Sequence, residues 1–144
     1  MTPSSSLNYA GDVSAAEAWA KLSGDANAQL VDVRTMAEWN FVGLPDLSSL
    51  GRQVRCIEWQ GFPSGARNPA FVAEASQALG DKEAVVLVMC RSGARSRAVA
   101  IALTQAGYRQ AINIGDGFEG DMDEDGHRGN RNGWKQADLP WRQG

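Results

Sequence analysis

A chain of 144 residues with 43% hydrophobic and 22% charged residues has the balance of one globular domain around one core. Its net charge of −3 argues against a general affinity for nucleic acid or an anionic membrane surface, and its apolar runs, at about six residues, are too short to span a bilayer. Two cysteines cannot build a disulfide scaffold, and Met1 to Ser6 lacks the basic-then-apolar order of a signal peptide, so the expected location is the cytoplasm.

Helical and extended patterns then alternate. Ser14-Ala15-Ala16-Glu17 is a capping box; Ala15, Ala18, Trp19 and Leu22 line one face of the helix it opens, and Gly24 ends it. Gln29 to Arg34 reads as a short strand. Thr35-Met36-Ala37-Glu38 is a second capping box, starting a short helix that stops near Gly43. Residues 44–53 read as a loop, Val54 to Trp59 as a strand and Gly61 to Gly65 as a turn. Asn68-Pro69 reads as an N-cap followed by a proline at the first helical position, with Phe71, Val72, Ala75 and Leu79 as the apolar stripe up to Gly80. Ala84 to Met89 is a continuous buried strand. Val99, Ala102, Leu103 and Ala106 mark a further helix ending at Gly107, and Ala111 to Ile114 a last strand.

This alternation predicts an α/β domain: a mostly parallel sheet with helices on both faces, and ligands bound beyond the carboxyl ends of the strands. The domain is expected over residues 8–119. Residues 120–144, glycine-rich and acidic before Trp134 and Trp141, read as an ordered tail packing on it.

The densest chemistry lies in Cys90-Arg91-Ser92-Gly93-Ala94-Arg95-Ser96, between the buried strand and the next helix. A helix N-terminus is positive and offers unpaired N–H groups, and Arg91 and Arg95 add charge. That setting stabilises a thiolate and attracts an anion, so Cys90 reads as a nucleophile. Gly93 allows a tight turn of backbone N–H groups, while Ser92 and Ser96 supply hydroxyl donors.

These residues make the chain resemble the single-domain rhodaneses, a sulfurtransferase family. The likeness rests on Leu30-Val31-Asp32-Val33-Arg34 with Glu38-Trp39 and Gly43, on the Cys90–Ser96 loop, and on Ile112 to Phe118. Gly133-Trp134 and Leu139-Pro140 extend it. One departure is that the family usually continues after the glycine with histidine, an aliphatic residue, proline and glycine, where Leu44-Pro45-Asp46 stands here. The resemblance implies a five-stranded sheet and a two-step reaction with no cofactor or metal. The Cys90 thiolate takes the outer sulfur of an anionic donor such as thiosulfate, and the persulfide passes it to a thiol or a protein acceptor. The alternatives are a persulfide carrier with little free turnover and a small phosphatase or arsenate reductase. The last pair use one more residue between cysteine and arginine, whereas Cys90 to Arg95 spans six residues.

Asp32, Arg34 and Glu38 are candidates for a supporting role, through an ion pair to one another or to a loop arginine. Cys56 reads as a small core residue, with a resolving thiol as the alternative. His127 reads as a surface residue. Asp121, Asp123 and Asp125 followed by Gly126 imitate the start of a calcium loop, but Asn132 stands where such a loop needs its bidentate glutamate, so a solvated acidic turn is expected. The cluster of Arg91, Arg95 and Arg97 reads as anion capture; it is too local for a nucleic-acid surface.

Overall fold

A computed structural model describes residues 8–61 and 64–143. Its elements are β1 (Gly11–Val13), α1 (Ala15–Gly24), β2 (Gln29–Asp32), α2 (Met36–Phe41), β3 (Leu44–Pro45), β4 (Arg55–Cys56), α3 (Phe71–Leu79), β5 (Val85–Met89), α4 (Ala94–Gln105), β6 (Gln110–Ile114) and β7 (Trp141–Arg142). Five strands form an all-parallel sheet in the order β1-β6-β5-β2-β4, and β3 and β7 form a separate antiparallel pair.

Alternation along the strands sorts the core into two layers. Val31, Val86, Val88 and Ala111 point to α3 and α4, where they meet Phe71, Ala75, Val99 and Leu103. Leu30, Leu87, Ile112 and Ile114 point the other way, to Ala15, Ala18 and Leu22 of α1 and to Phe118 and Trp134. The sheet is thus covered on both faces, as parallel sheets require. Both predicted capping boxes are formed: Ser14 and Glu17 bond reciprocally at α1, and Thr35 and Glu38 at α2.

Four local expectations need correction. The fifth strand is β1, a three-residue edge strand too short to leave an alternating pattern. Residues 44–53 are not all loop: they hold β3 and a 3-10 turn over Ser48–Leu50. In the segment 54–59 only Arg55 and Cys56 form ladder pairs, although the Ile57 and Trp59 N–H groups still donate to Asp32 and Val33 carbonyls at 3.1 and 3.2 Å. Finally, α3 starts at Phe71 with Ala70 as its cap. Asn68 instead accepts from the Ala70 N–H at 3.0 Å, closing a turn that contains Pro69 and delays the helix by two residues.

Candidate active site

Buried β5 delivers Cys90 to the carboxyl edge of the sheet, and α4 begins four residues later. The turn between them depends on Gly93, the N-cap of α4, at φ +107°. Cys90 is only 1% exposed. Its Sγ receives the Gly93 N–H at 3.1 Å and lies 3.2 Å from the Ser96 hydroxyl oxygen. The N–H groups of Ala94, Arg95 and Ser96 belong to the first turn of α4 and bond to no backbone carbonyl among the described residues. They are available to an anionic group above the sulfur. Ser92 is half-buried, and among the described residues its hydroxyl makes no hydrogen bond; of the two loop serines, only Ser96 reaches the sulfur.

The loop is fastened from outside by the segment after β6. The Phe118 N–H donates to the Cys90 carbonyl at 2.9 Å, and those of Glu119 and Gly120 donate to the Arg91 carbonyl at 3.0 and 3.1 Å. Gly93 lies directly against Gly115, and Gly117 against Arg91, leaving no room for a side chain at Gly93 or Gly117. The tail holds this segment in turn: the Trp134 N–H donates to the Gly117 carbonyl at 2.9 Å and that of Lys135 to the Phe118 carbonyl at 3.2 Å. Trp134 is fully buried and packs edge-on to Trp19 with ring centroids 5.8 Å apart.

Asp32 and Arg34 pair with each other, not with Glu38 or a loop arginine. Both are fully buried, with the Arg34 Nη2 2.7 Å from the Asp32 Oδ2. The same Nη2 donates to the Gly43 carbonyl at 2.7 Å, and the guanidinium lies 4.3 Å from the centre of the Phe118 ring. This pair therefore supports the segment that fastens Cys90. Glu38 is the residue that reaches the loop. Its carboxylate takes two bonds from Arg95, at 2.9 and 3.0 Å, while its Oε1 also accepts the Thr35 N–H at 3.1 Å. Burial opposes ionisation of Glu38, but the Arg95 guanidinium, the Thr35 N–H and Arg34 outweigh it and hold the carboxyl below its ordinary value. One capping residue thus serves two elements, closing α2 and anchoring the Cys90 loop.

Above the loop lies an open pocket of about 550 Å³, lined by Thr35, Glu38, Gln60, Arg91, Arg95 and Glu119, among others. Arg91 is exposed there, whereas Arg95 is held by Glu38. The two arginines therefore differ: among the described residues Arg91 has no ion-pair partner at the mouth, and Arg95 is part of the frame. Arg97 is exposed on α4, and its N–H donates to the Gly93 carbonyl at 3.1 Å.

Cys56 is not in the core. It is exposed on β4 at the sheet edge, though one side of its sulfur is enclosed. That enclosure and the Asp32 carboxylate push its thiol up to about 12, which leaves it protonated and weakly nucleophilic near neutral pH. In the acidic turn, the carboxylates of Asp121 and Asp123 are taken by the protein itself. Asp123 accepts from the Asp125 and His127 N–H groups and from Asn130, and Asp121 from Asn132. Among the described residues no cluster of three His, Cys, Asp or Glu side chains is placed to hold a metal ion, and no helix is long and apolar enough to cross a membrane.

Asn113 was missed as a site residue. It is fully buried on β6 and bonds to Ser96. The signal was an amide in an otherwise apolar strand, since a buried polar side chain must have a partner.

A family model described as the STR4 middle domain matches residues 10–144. The chain belongs to this family. Other family-level similarities agree with the fold. An uncharacterized RP600 homolog of Rickettsia rickettsii is 36% identical over 131 residues, covering 90% of this chain and 95% of the relative. Rhodanese-like domain-containing protein 4 of Arabidopsis thaliana, a chloroplastic protein, is 31% identical over 91% of this chain, which spans 25% of that longer protein. Among solved structures, Rv0390 from M. tuberculosis superimposes with a TM-score of 0.85 at 48% identity, covering 94% of this chain and 99% of its own. A polysulfide-sulfur transferase from Wolinella succinogenes shares the fold at 19% identity, with a TM-score of 0.59 over 91% of this chain and 77% of its own.

Proposed function

We propose that this STR4-type domain is a sulfurtransferase that carries sulfur as a persulfide on Cys90. One observation carries the reading: a cysteine sulfur at the strand's end receives the Gly93 N–H at 3.1 Å beneath orphan N–H groups and a pocket lined by Arg91. Rhodanese-like relatives and the shared fold of a polysulfide-sulfur transferase support it.

The thiolate attacks the outer sulfur of an anionic donor such as thiosulfate. A new S–S bond forms to Cys90 while the donor S–S bond breaks, and its electron pair leaves with sulfite. The terminal sulfur of the persulfide then carries the negative charge, which the first-turn N–H groups and the helix terminus stabilise. A thiol or a protein acceptor attacks that sulfur and releases the Cys90 thiolate. Arg91 draws the donor in; Arg95 and Glu38 hold the loop in shape. The reaction needs no cofactor. The six-residue span from Cys90 to Arg95 favours a single sulfur atom over a tetrahedral phosphate or arsenate.

A persulfide carrier is the second reading. Met36 and Phe41, 61% and 79% exposed on α2, are large apolar side chains open to an acceptor protein. Intact mass after incubation with thiosulfate tests the first point: one added sulfur, absent in Cys90→Ser and removed by cyanide. No addition to the folded protein would sink the thiosulfate reading. Steady-state thiocyanate production separates enzyme from carrier, since a carrier loads but turns over slowly.

A further inference from the structure

A chain of side-chain hydrogen bonds runs from Cys90 to the far edge of the sheet. Cys90 Sγ is 3.2 Å from Ser96 Oγ, Ser96 donates to Asn113 Oδ1, and Asn113 Nδ2 donates to Asp12 Oδ1 at 2.9 Å. Tyr9 closes the outer end, its hydroxyl 3.0 Å from both Asp12 oxygens. Cys90, Ser96 and Asn113 are buried, and Asp12 and Asn113 are register partners on β1 and β6.

The direction of every bond in this chain is dictated from its outer end. An ionised carboxylate only accepts, so Asn113 must turn its NH₂ group to Asp12 and its oxygen to Ser96. That oxygen has no hydrogen, so Ser96 must give it the single hydroxyl hydrogen it owns. Ser96 then faces Cys90 with a lone pair, and the contact is a hydrogen bond only when Cys90 is an S–H donor. A thiolate would set two acceptors face to face. To serve it, Ser96 would have to turn its hydrogen to Sγ and leave the buried Asn113 oxygen unpaired, which is costly.

We propose that Asp12 is a positioning residue that, through Asn113 and Ser96, sets the polarity of the hydrogen bond at Cys90 and holds the resting cysteine as a thiol. Loss of the thiol proton to solvent requires Ser96 to reverse, so the chain guards the unloaded sulfur without blocking the loop N–H groups above it. Asp12→Asn removes the dictate. The chain can then run backwards, from the introduced amide through Asn113 and Ser96 to Sγ, with a hydrogen for every link and the thiolate served. The inference rests on Cys90 being the reacting group, as proposed above, but not on the identity of its donor.

The test is a pH titration of the thiolate's ultraviolet absorbance, read as the difference from Cys90→Ser, with Cys56→Ser throughout so that one thiol is seen. The titration needs no sulfur donor, so a failed sulfur transfer does not affect it. Asp12→Asn should move the midpoint down by about one pH unit, which is about a ten-fold higher thiolate-to-thiol ratio below it. Removing a negative charge would act in the same direction, so the decisive comparison is Asp12→Asn made again in Ser96→Ala and in Asn113→Ala, each of which cuts the chain. In either background the midpoint should stay within about 0.2 unit, a small fraction of the one-unit effect; two cuts allow for one variant failing to fold. The remaining charged groups about the sulfur are Arg91 on the loop, Arg95 in the first turn of α4, Glu38 on α2, the Asp32–Arg34 pair at the end of β2 and Glu119 after β6, while Arg97 on α4 faces Tyr9 at the outer end of the chain. They are common to all variants and cancel. An unmoved midpoint in Asp12→Asn, or an equal shift with the chain cut, overturns the proposal.

Discussion

Gly93→Ala places one methyl group at the tightest point of the site. Gly93 has φ +107°, where a residue with a Cβ is strained by about 1–3 kcal/mol. The added carbon would also overlap the carbonyl of Gly115, a backbone atom that cannot swing aside as a side chain would. Opening that contact resembles overpacking a core, at about 1–3 kcal/mol. Together the substitution is predicted to cost about 3 kcal/mol, or about 10 °C in Tm for a domain of this size. Gly93 supplies the N–H to Sγ, so the rotation that relieves the clash also moves that donor. A displacement on the order of 1 Å predicts a sulfur-transfer rate lower by about ten- to a hundred-fold. Thermal unfolding and thiosulfate loading of the same preparation check both. A Tm within about 2 °C of the parent, where ~1 kcal/mol or less is at stake, would falsify the argument from strain and overlap.

Arg91→Ala is predicted to raise KM for an anionic donor about five- to ten-fold with little change in kcat, whereas Arg95→Ala lowers kcat, because Arg95, unlike Arg91, is held by Glu38; steady-state kinetics with thiosulfate separates them. Glu38 has its folded pKa depressed, so the stability it lends is present above the ordinary glutamate value of about 4.3 and is lost as pH falls through the folded value. Glu38→Gln should therefore lower Tm by the equivalent of about 1 kcal/mol near neutral pH, a difference that shrinks as the medium is acidified below about pH 4; a constant difference down to low pH contradicts the assignment. Trp134→Ala removes a fully buried side chain that packs on Trp19 and is predicted to cost about 3–5 kcal/mol in urea unfolding.

The sequence carried the framework of the sheet and the cysteine loop because these rest on local rules. The buried run Ala84 to Met89, the two capping boxes and the helix after Cys90 each depend on residues a few positions apart. What depends on distant partners was not legible. β1 is an edge strand whose three residues pair with β6 about a hundred positions away. β3 and β7 are two residues each and exist through one another. The ion pairs could be named as candidates, but their pairing could not: Asp32 and Arg34 close on each other across one residue, which leaves Glu38 free for Arg95. Asn113 stood in plain sight as an amide within Ala111-Ile112-Asn113-Ile114, yet its partners Asp12 and Ser96 come from two other elements.

The depth of Cys90 gives the loaded and empty protein different reach. The free sulfur sits below the surface at 1% exposure, where a bulky reagent has little approach. On the proposed chemistry, a persulfide extends the side chain by one S–S bond of about 2.05 Å, carrying its outer atom toward the pocket mouth. An acceptor too large to touch the empty cysteine could then still meet the cargo. Delivery would leave a site that the same acceptor can no longer enter, a steric bias toward giving sulfur to large partners and against taking it back from them.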